Sequence, residues 1–154
     1  MGLLLVVRLR GTLNVRSEAS ESMRRLGLNT KYSATLVQDD PPTLGMLKVA
    51  ATSVAWSRVE KELLVKLIHE RVRLPGSRRP TQNDFKAAGF DGAEELADKL
   101  LGGEVKWGEV KKFLHTFNLA PPRGGYPRPA NRFYGAGGLL AENPELPKLV
   151  ERMI

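Results

Sequence analysis

The chain opens on an unbroken apolar run, Leu3 to Val7, and then changes to alternation, Val7 and Leu9 against Arg8 and Arg10, before Gly11. The run is too short to cross a membrane and has the Val/Leu content of a strand buried on both faces. The two-residue strand period sends both guanidinium groups out on one face, just ahead of a glycine turn. The pattern predicts a core strand that carries charge at its rim.

The next elements follow from the same reading. Ser17 is placed to cap a helix with Glu18 and Glu21 in its first turns, a stripe of Ala19, Met23 and Leu26, and Gly27 as its terminator. Residues 32–37 form a second strand by β-branched and aromatic content. Asp40 and Pro41 start a helix to about Ala50 that carries Leu44 and Leu47, and residues 53–59 form a third strand. The first sixty residues therefore read β-α-β-α-β. Residues 60–73 give the strongest helical pattern, with Leu63, Leu64, Leu67, Ile68 and Val72 on one face, stopped by Pro75-Gly76. Thr81 with Asp84 forms a capping box for a short helix to Ala88, and a further helix carries Leu96, Ala97 and Leu100 up to Gly102-Gly103. Residues 109–117 read as helical at first and extended later. No regular element fits residues 121–138, PPRGGYPRPANRFYGAGG. A last helix is expected from Asn143, with Pro144 in its first turn and Leu146, Leu149, Val150 and Met153 inward. The chain divides by pattern into a core at 1–60, a helical extension at 61–118 and a basic Pro/Gly-rich segment with a helix at 119–154, together one domain.

Composition adds a direction to this outline. The 154 residues contain 42% hydrophobic side chains, enough for a core, and a formal net charge of +7 that favours a polyanionic partner. There is no cysteine, which removes disulfides, thiolate nucleophiles and cysteine metal sites and fits a reducing compartment. No run approaches the roughly 20 apolar residues of a membrane span, and the N-terminal run has neither the basic start nor the cleavage pattern of a signal peptide, so a cytoplasmic protein is expected.

Catalytic chemistry finds little to work with. His69 and His115 are the two histidines and lack co-ligands at metal-binding spacing. No serine sits in a G-x-S-x-G turn, and the glycine-rich stretches have neither the Walker lysine nor the dinucleotide-binding order. Neither an enzyme nor a cofactor site is expected. Glu94-Glu95 and Asp39-Asp40 read as a solvated helix face and a helix cap. Three clusters without acid remain. Arg8, Arg10 and Arg16 flank the first turn; Arg71, Arg73, Arg78 and Arg79 follow the strong helix; Arg123, Arg128 and Arg132 stand among Tyr126, Phe133 and Tyr134. Guanidinium forks match phosphate, glycine lets a backbone approach a phosphate chain, and aromatic rings stack on unpaired bases, the equipment for structured RNA. From Asp84 to Glu104 the balance reverses: Asp84, Asp91, Glu94, Glu95, Asp98 and Glu104 stand against Lys86 and Lys99. This stretch is the poorest candidate for touching a polyanion. Trp56 and Trp107 are read as packing, and no helix has the basic and apolar faces of a membrane-surface helix.

VVRLRGTLNVR, DDPPTLGMLKVA, the VAW strand, RVRLPG and FNLAPPRGG, in that order, resemble the archaeal and eukaryotic branch of the large-subunit ribosomal protein family L-thirty. The strand begins at once, as in the archaeal form. The resemblance implies an α+β, ferredoxin-like core in which three strands make an antiparallel sheet covered by helices, with an added helical region and C-terminal segment. It also implies a non-catalytic constituent of the large subunit, with rRNA and neighbouring ribosomal proteins as partners. By that likeness the basic first turn is Arg8, Arg10, Gly11 and Arg16; the Gly-Met-Leu helix brings Lys48; and the late motif brings Arg123, Gly124 and Gly125. Arg71, Arg73, Arg78, Arg128 and Arg132 complete the expected RNA contacts, with Tyr126 as a stacking ring. This chain departs from the family pattern at Ser57 and Val72, where glycine is usual, and in the two prolines of its last helix. The rival reading from another class is a free-standing RNA-binding regulator or assembly factor on the same core.

Overall fold

The computed structural model describes residues 2–110 and 113–154. Strand β1 (Leu3–Arg8) is the middle of the molecule. It pairs antiparallel with β2 (Ser33–Gln38) on one side and β3 (Val54–Arg58) on the other, so that Val6 lies between Thr35 and Trp56. Leu5, Val6 and Val7 are wholly buried. This is the expected three-stranded antiparallel core of an α+β, ferredoxin-like fold, with helices against the sheet.

Two short strands extend it, one where residues 109–117 are read as turning extended and one that the sequence pattern does not predict. β4 (Thr116–Asn118) pairs antiparallel with β2 and β5 (Ala141–Glu142) pairs parallel with β3, giving the order β4-β2-β1-β3-β5. Three and two residues are too few to show an alternating pattern, and both strands owe their existence to the edges they find.

Alternate residues of β1 feed two apolar layers. Leu4 and Val6 join Met23, Leu28, Leu47, Ala50 and Trp56 beneath α1 (Ser17–Arg25) and α2 (Pro41–Val49). Leu3, Leu5, Val7 and Leu9 join a larger cluster beneath α3 (Lys61–Glu70), to which α4 (Gln82–Ala87), α5 (Ala93–Leu101) and α6 (Leu146–Glu151) contribute Phe85, Leu96 and Leu149. Both tryptophans are packed, Trp56 in the first layer and Trp107 in the second.

The caps agree with the sequence at two helices and differ at two. Asp40 accepts a hydrogen bond from the Thr43 amide at 2.9 Å, with Pro41 opening α2. The Thr81/Asp84 capping box starts α4. At α1, however, the capping position is Arg16 rather than Ser17, and no side chain caps it. The last helix starts three residues later than expected. Asn143 is fully buried; its carboxamide donates to the Leu139 carbonyl and accepts from the Glu145 amide, which holds the approach to α6 instead of its first turn. Pro147, not Pro144, then lies in the first turn of α6. The stretch read as helical after residue 109 lies partly outside the described residues; Trp107–Glu109 is a short 3-10 turn. Residues 121–138 hold one further 3-10 turn, Tyr134–Ala136, and are otherwise irregular.

Candidate nucleic-acid interface

Strand direction decides where the basic residues meet. Arg8 at the exit of β1 pairs with Val54 at the entry of β3; Ser33 at the entry of β2 pairs with Asn118 at the exit of β4; Ala141 enters β5 opposite Ala55. All five strands therefore bring an end to the same rim of the sheet. Helix α3 starts beyond the far end of β3 and returns, so it delivers Arg71 to this rim as well. The Arg71 guanidinium confirms the arrival, donating to the carbonyls of Asn118 and Met153 at 3.4 and 3.3 Å.

Arg8 and Arg10 do share a face, but it is the face that α1 and α2 cover. Arg8 is only 4% exposed. Its guanidinium donates to the carbonyls of Leu28 at 2.7 Å, Arg10 at 2.9 Å and Gly11 at 3.2 Å, and burial lowers its pKa. A cation committed to three carbonyls under a helix is not a rim contact, and the expectation that Arg8 meets phosphate is corrected on that ground. It fixes the turn in which Arg10 and Gly11 stand. Arg10 is half-buried and donates to the Thr52 carbonyl at 3.2 Å. A cleft of about 460 Å³ gathers Arg10 with Arg16 and Lys48, and a smaller one of about 310 Å³ joins Arg10 to Arg132 and Phe133. Four candidates from three separate stretches thus line one continuous surface. Gly11 leaves open space beside its Cα there.

The second cluster is more mixed than its sequence. Arg73 closes the end of α3 by donating to the Glu70 and Val72 carbonyls at 2.7 and 3.1 Å, and its pKa is lowered by burial and then by the charges of Arg79 and Arg71. Arg78 and Arg79 carry no acid between them in the chain, yet the fold supplies acids from elsewhere. Arg78 pairs with Asp84 at 3.1 Å, and Arg79 lies 3.9 Å from Glu70. Asp84 also accepts from the Thr81 amide and hydroxyl, and these bonds, with the Arg78 charge, hold its carboxyl down at about 2.

In the third cluster Gly124 and Gly125 both sit at φ 78°, in the left-handed region that a side chain would strain. Arg152, which lies outside the three basic clusters of the sequence, holds this turn. Its guanidinium donates to the Arg123 carbonyl at 2.6 and 2.8 Å and to the Gly125 carbonyl. The signal in the sequence is a basic residue at the end of the last helix, on the side away from its apolar face. The Arg123 side chain is exposed and has no partner among the described residues. Arg128 lies 3.5 Å from Glu145 and over the Tyr134 ring, 5.2 Å from its centre. Tyr126 is a strut as much as a platform: half-buried, it donates to the Tyr32 hydroxyl at 2.9 Å, and burial followed by that bond raises its pKa.

No family model matches this chain. Curated proteins do. It is 35% identical over 153 residues to large ribosomal subunit protein uL30 of Cenarchaeum symbiosum, covering 99% of each chain. Identity to the protein of that name from Thermofilum pendens is 37% over 156 residues, covering all of both chains, and to that from Nitrosopumilus maritimus 37% over 150 residues, 97% of both.

Proposed function

The chain belongs to the family of large ribosomal subunit protein uL30, and from that premise we propose that it holds ribosomal RNA at the basic rim of its sheet. As a member it is a structural, non-catalytic constituent of the large subunit of the cytoplasmic ribosome. The free-standing regulator has no support from these relatives. Arg10, Arg16, Lys48 and Arg132 form one half of the interface. Arg71, Arg73 and Arg123 form the other, with Gly11, Gly124 and Gly125 allowing the backbone to approach the phosphate chain. Arg78 and Arg128, each shared with a carboxylate, contribute less. Neighbouring ribosomal proteins take the surfaces the RNA leaves. The observation that carries this reading is the convergence of Arg10, Arg16, Lys48 and Arg132, from three stretches of chain, around adjoining clefts.

The test has two stages. The protein co-sediments with large subunits in low-magnesium gradients of a cell lysate; a protein running free of them sinks the proposal. With purified rRNA, Arg10→Ala combined with Arg16→Ala reduces the slope of log affinity against log salt by about 0.7–0.9 for each phosphate that is no longer neutralised. An unchanged slope removes both residues from the interface.

A further inference from the structure

The first turn presents one side chain for which the protein itself has no use. Leu13 is 86% exposed, the most exposed of the large apolar side chains among the described residues. Its neighbour Val15 packs against Leu4, Val6 and their layer, whereas Asn14, at φ 57°, turns the chain sharply so that Leu13 is left at the tip. A lone exposed leucine is ordinary on a protein surface. This one forms a wall of a cleft of about 670 Å³ that runs between the first turn and the tail segment, with the Tyr126 ring, Leu9 and Ala130 also lining it. Arg10 and Lys31 stand in the same lining, and no acidic residue does. Asn14 and Asn131 add carboxamides that have no partner among the described residues.

We propose that this cleft takes one unpaired nucleobase of the bound RNA, held between Leu13 and Tyr126. The volume lies within the range of sites for a small planar ligand. The apolar walls suit the faces of a base, as apolar wedges and aromatic rings do in other nucleic-acid complexes. The two carboxamides each offer a donor and an acceptor toward a base edge, and Arg10 and Lys31 are placed for the flanking phosphates. Charge decides the occupant: an apolar side chain of a neighbouring protein would fill the same walls but leave two cations and two carboxamides unanswered.

The inference rests on the proposed RNA interface, and the test separates the two. Large subunits are reconstituted with the wild-type chain and with Leu13→Ala, and their rRNA is probed with hydroxyl radical, which reads the backbone, and with dimethyl sulfate and a carbodiimide, which read base edges. Leu13 touches no core, so the variant folds; an unchanged melting temperature checks this. The expected result is an unchanged backbone footprint with one base becoming several-fold more reactive. A backbone footprint with no change at any base overturns the base site alone. Absence of any footprint from the wild-type chain overturns the RNA interface as well. Loss of a cross-link from position 13 to a protein, with every base unchanged, assigns the cleft to a protein side chain and also overturns the proposal.

Discussion

The rim of the sheet and the acidic helices α4 and α5 both carry dense charge, yet they hold it in opposite ways. In the helical layer charge meets charge: Lys61 lies 2.8 Å from Asp98, Lys99 lies 2.7 Å from Glu95, and Arg78 lies 3.1 Å from Asp84. At the rim arginines meet carbonyls. Arg10 donates to Thr52, Arg71 to Asn118 and Met153, Arg73 to Glu70 and Val72, and Arg152 to Arg123 and Gly125, while beneath them the buried Arg8 donates to Leu28. A carboxylate both positions a guanidinium and cancels its field. A carbonyl positions it and leaves the full charge in place. These carbonyl-held arginines are therefore ordered without a carboxylate partner, so a phosphate arriving at them need not displace a paired anion, and less side-chain freedom is given up on binding.

The largest effect is expected at Arg8. If carbonyl-held arginines are structural supports for the charges beside them, removing the most buried one costs folding rather than RNA affinity. Arg8→Ala leaves three carbonyls without their donor, and the expected loss is about 2–3 kcal/mol of stability, read as a lower urea midpoint at unchanged slope. At temperatures where the variant remains folded, its salt dependence of RNA binding matches the wild type. A stable variant with a flattened salt slope would return Arg8 to the interface and undo the distinction.

This arginine also marks how far the sequence could be read. The two-residue period correctly put Arg8 and Arg10 on one face, but periodicity does not say which face a helix will cover. The core strands were legible from an apolar run, from β-branched and aromatic content and from alternation, five of the helices from apolar spacing, and α4 from its Thr81/Asp84 capping box. β5 was not, being two residues long and defined by the edge of β3, and of β4 only the extended end of residues 109–117 could be read, its pairing being set by the edge of β2. At the site, the basic residues were visible as clusters, whereas their compensation was not. Asp84 meets Arg78 from the first turn of α4, and Arg152 reaches Gly125 in the Gly124-Gly125 turn from 27 positions further along the chain.

The carboxylate-paired helices have their own signature in pH. Asp84 has a folded pKa of about 2 against an ordinary value of 3.8, held down by the Thr81 bonds and Arg78. A depressed carboxyl stabilises the folded state above its unfolded pKa and loses that contribution as protons bind. The stability of the wild type therefore falls as pH drops from about 4 toward 2, and Asp84→Asn removes the part of that fall that belongs to this group. Thermal melts of both chains across the window check it. Parallel curves would show that the α4 cap contributes equally in either protonation state.

The smallest effect is expected where the two regions are farthest apart. Glu104 follows α5 at the end of the sheet opposite the rim: α5 runs back along α3, with Asp98 beside Lys61, and Lys106 acts on Asp40 at the start of α2. Glu104 is exposed, so Glu104→Lys adds two to the formal net charge of +7 with little cost to folding. If affinity followed net charge alone, the variant would bind RNA several-fold more tightly. If it follows charges fixed at the rim, screening over about 8 Å at physiological ionic strength isolates the new lysine, and affinity stays within about twofold, a shift of roughly 0.4 kcal/mol. Titration of the same rRNA fragment at physiological and at low salt separates the cases. Equality at physiological salt with a gain only at low salt is the outcome that localised charge requires, because lengthening the screening distance is what lets a remote charge be felt.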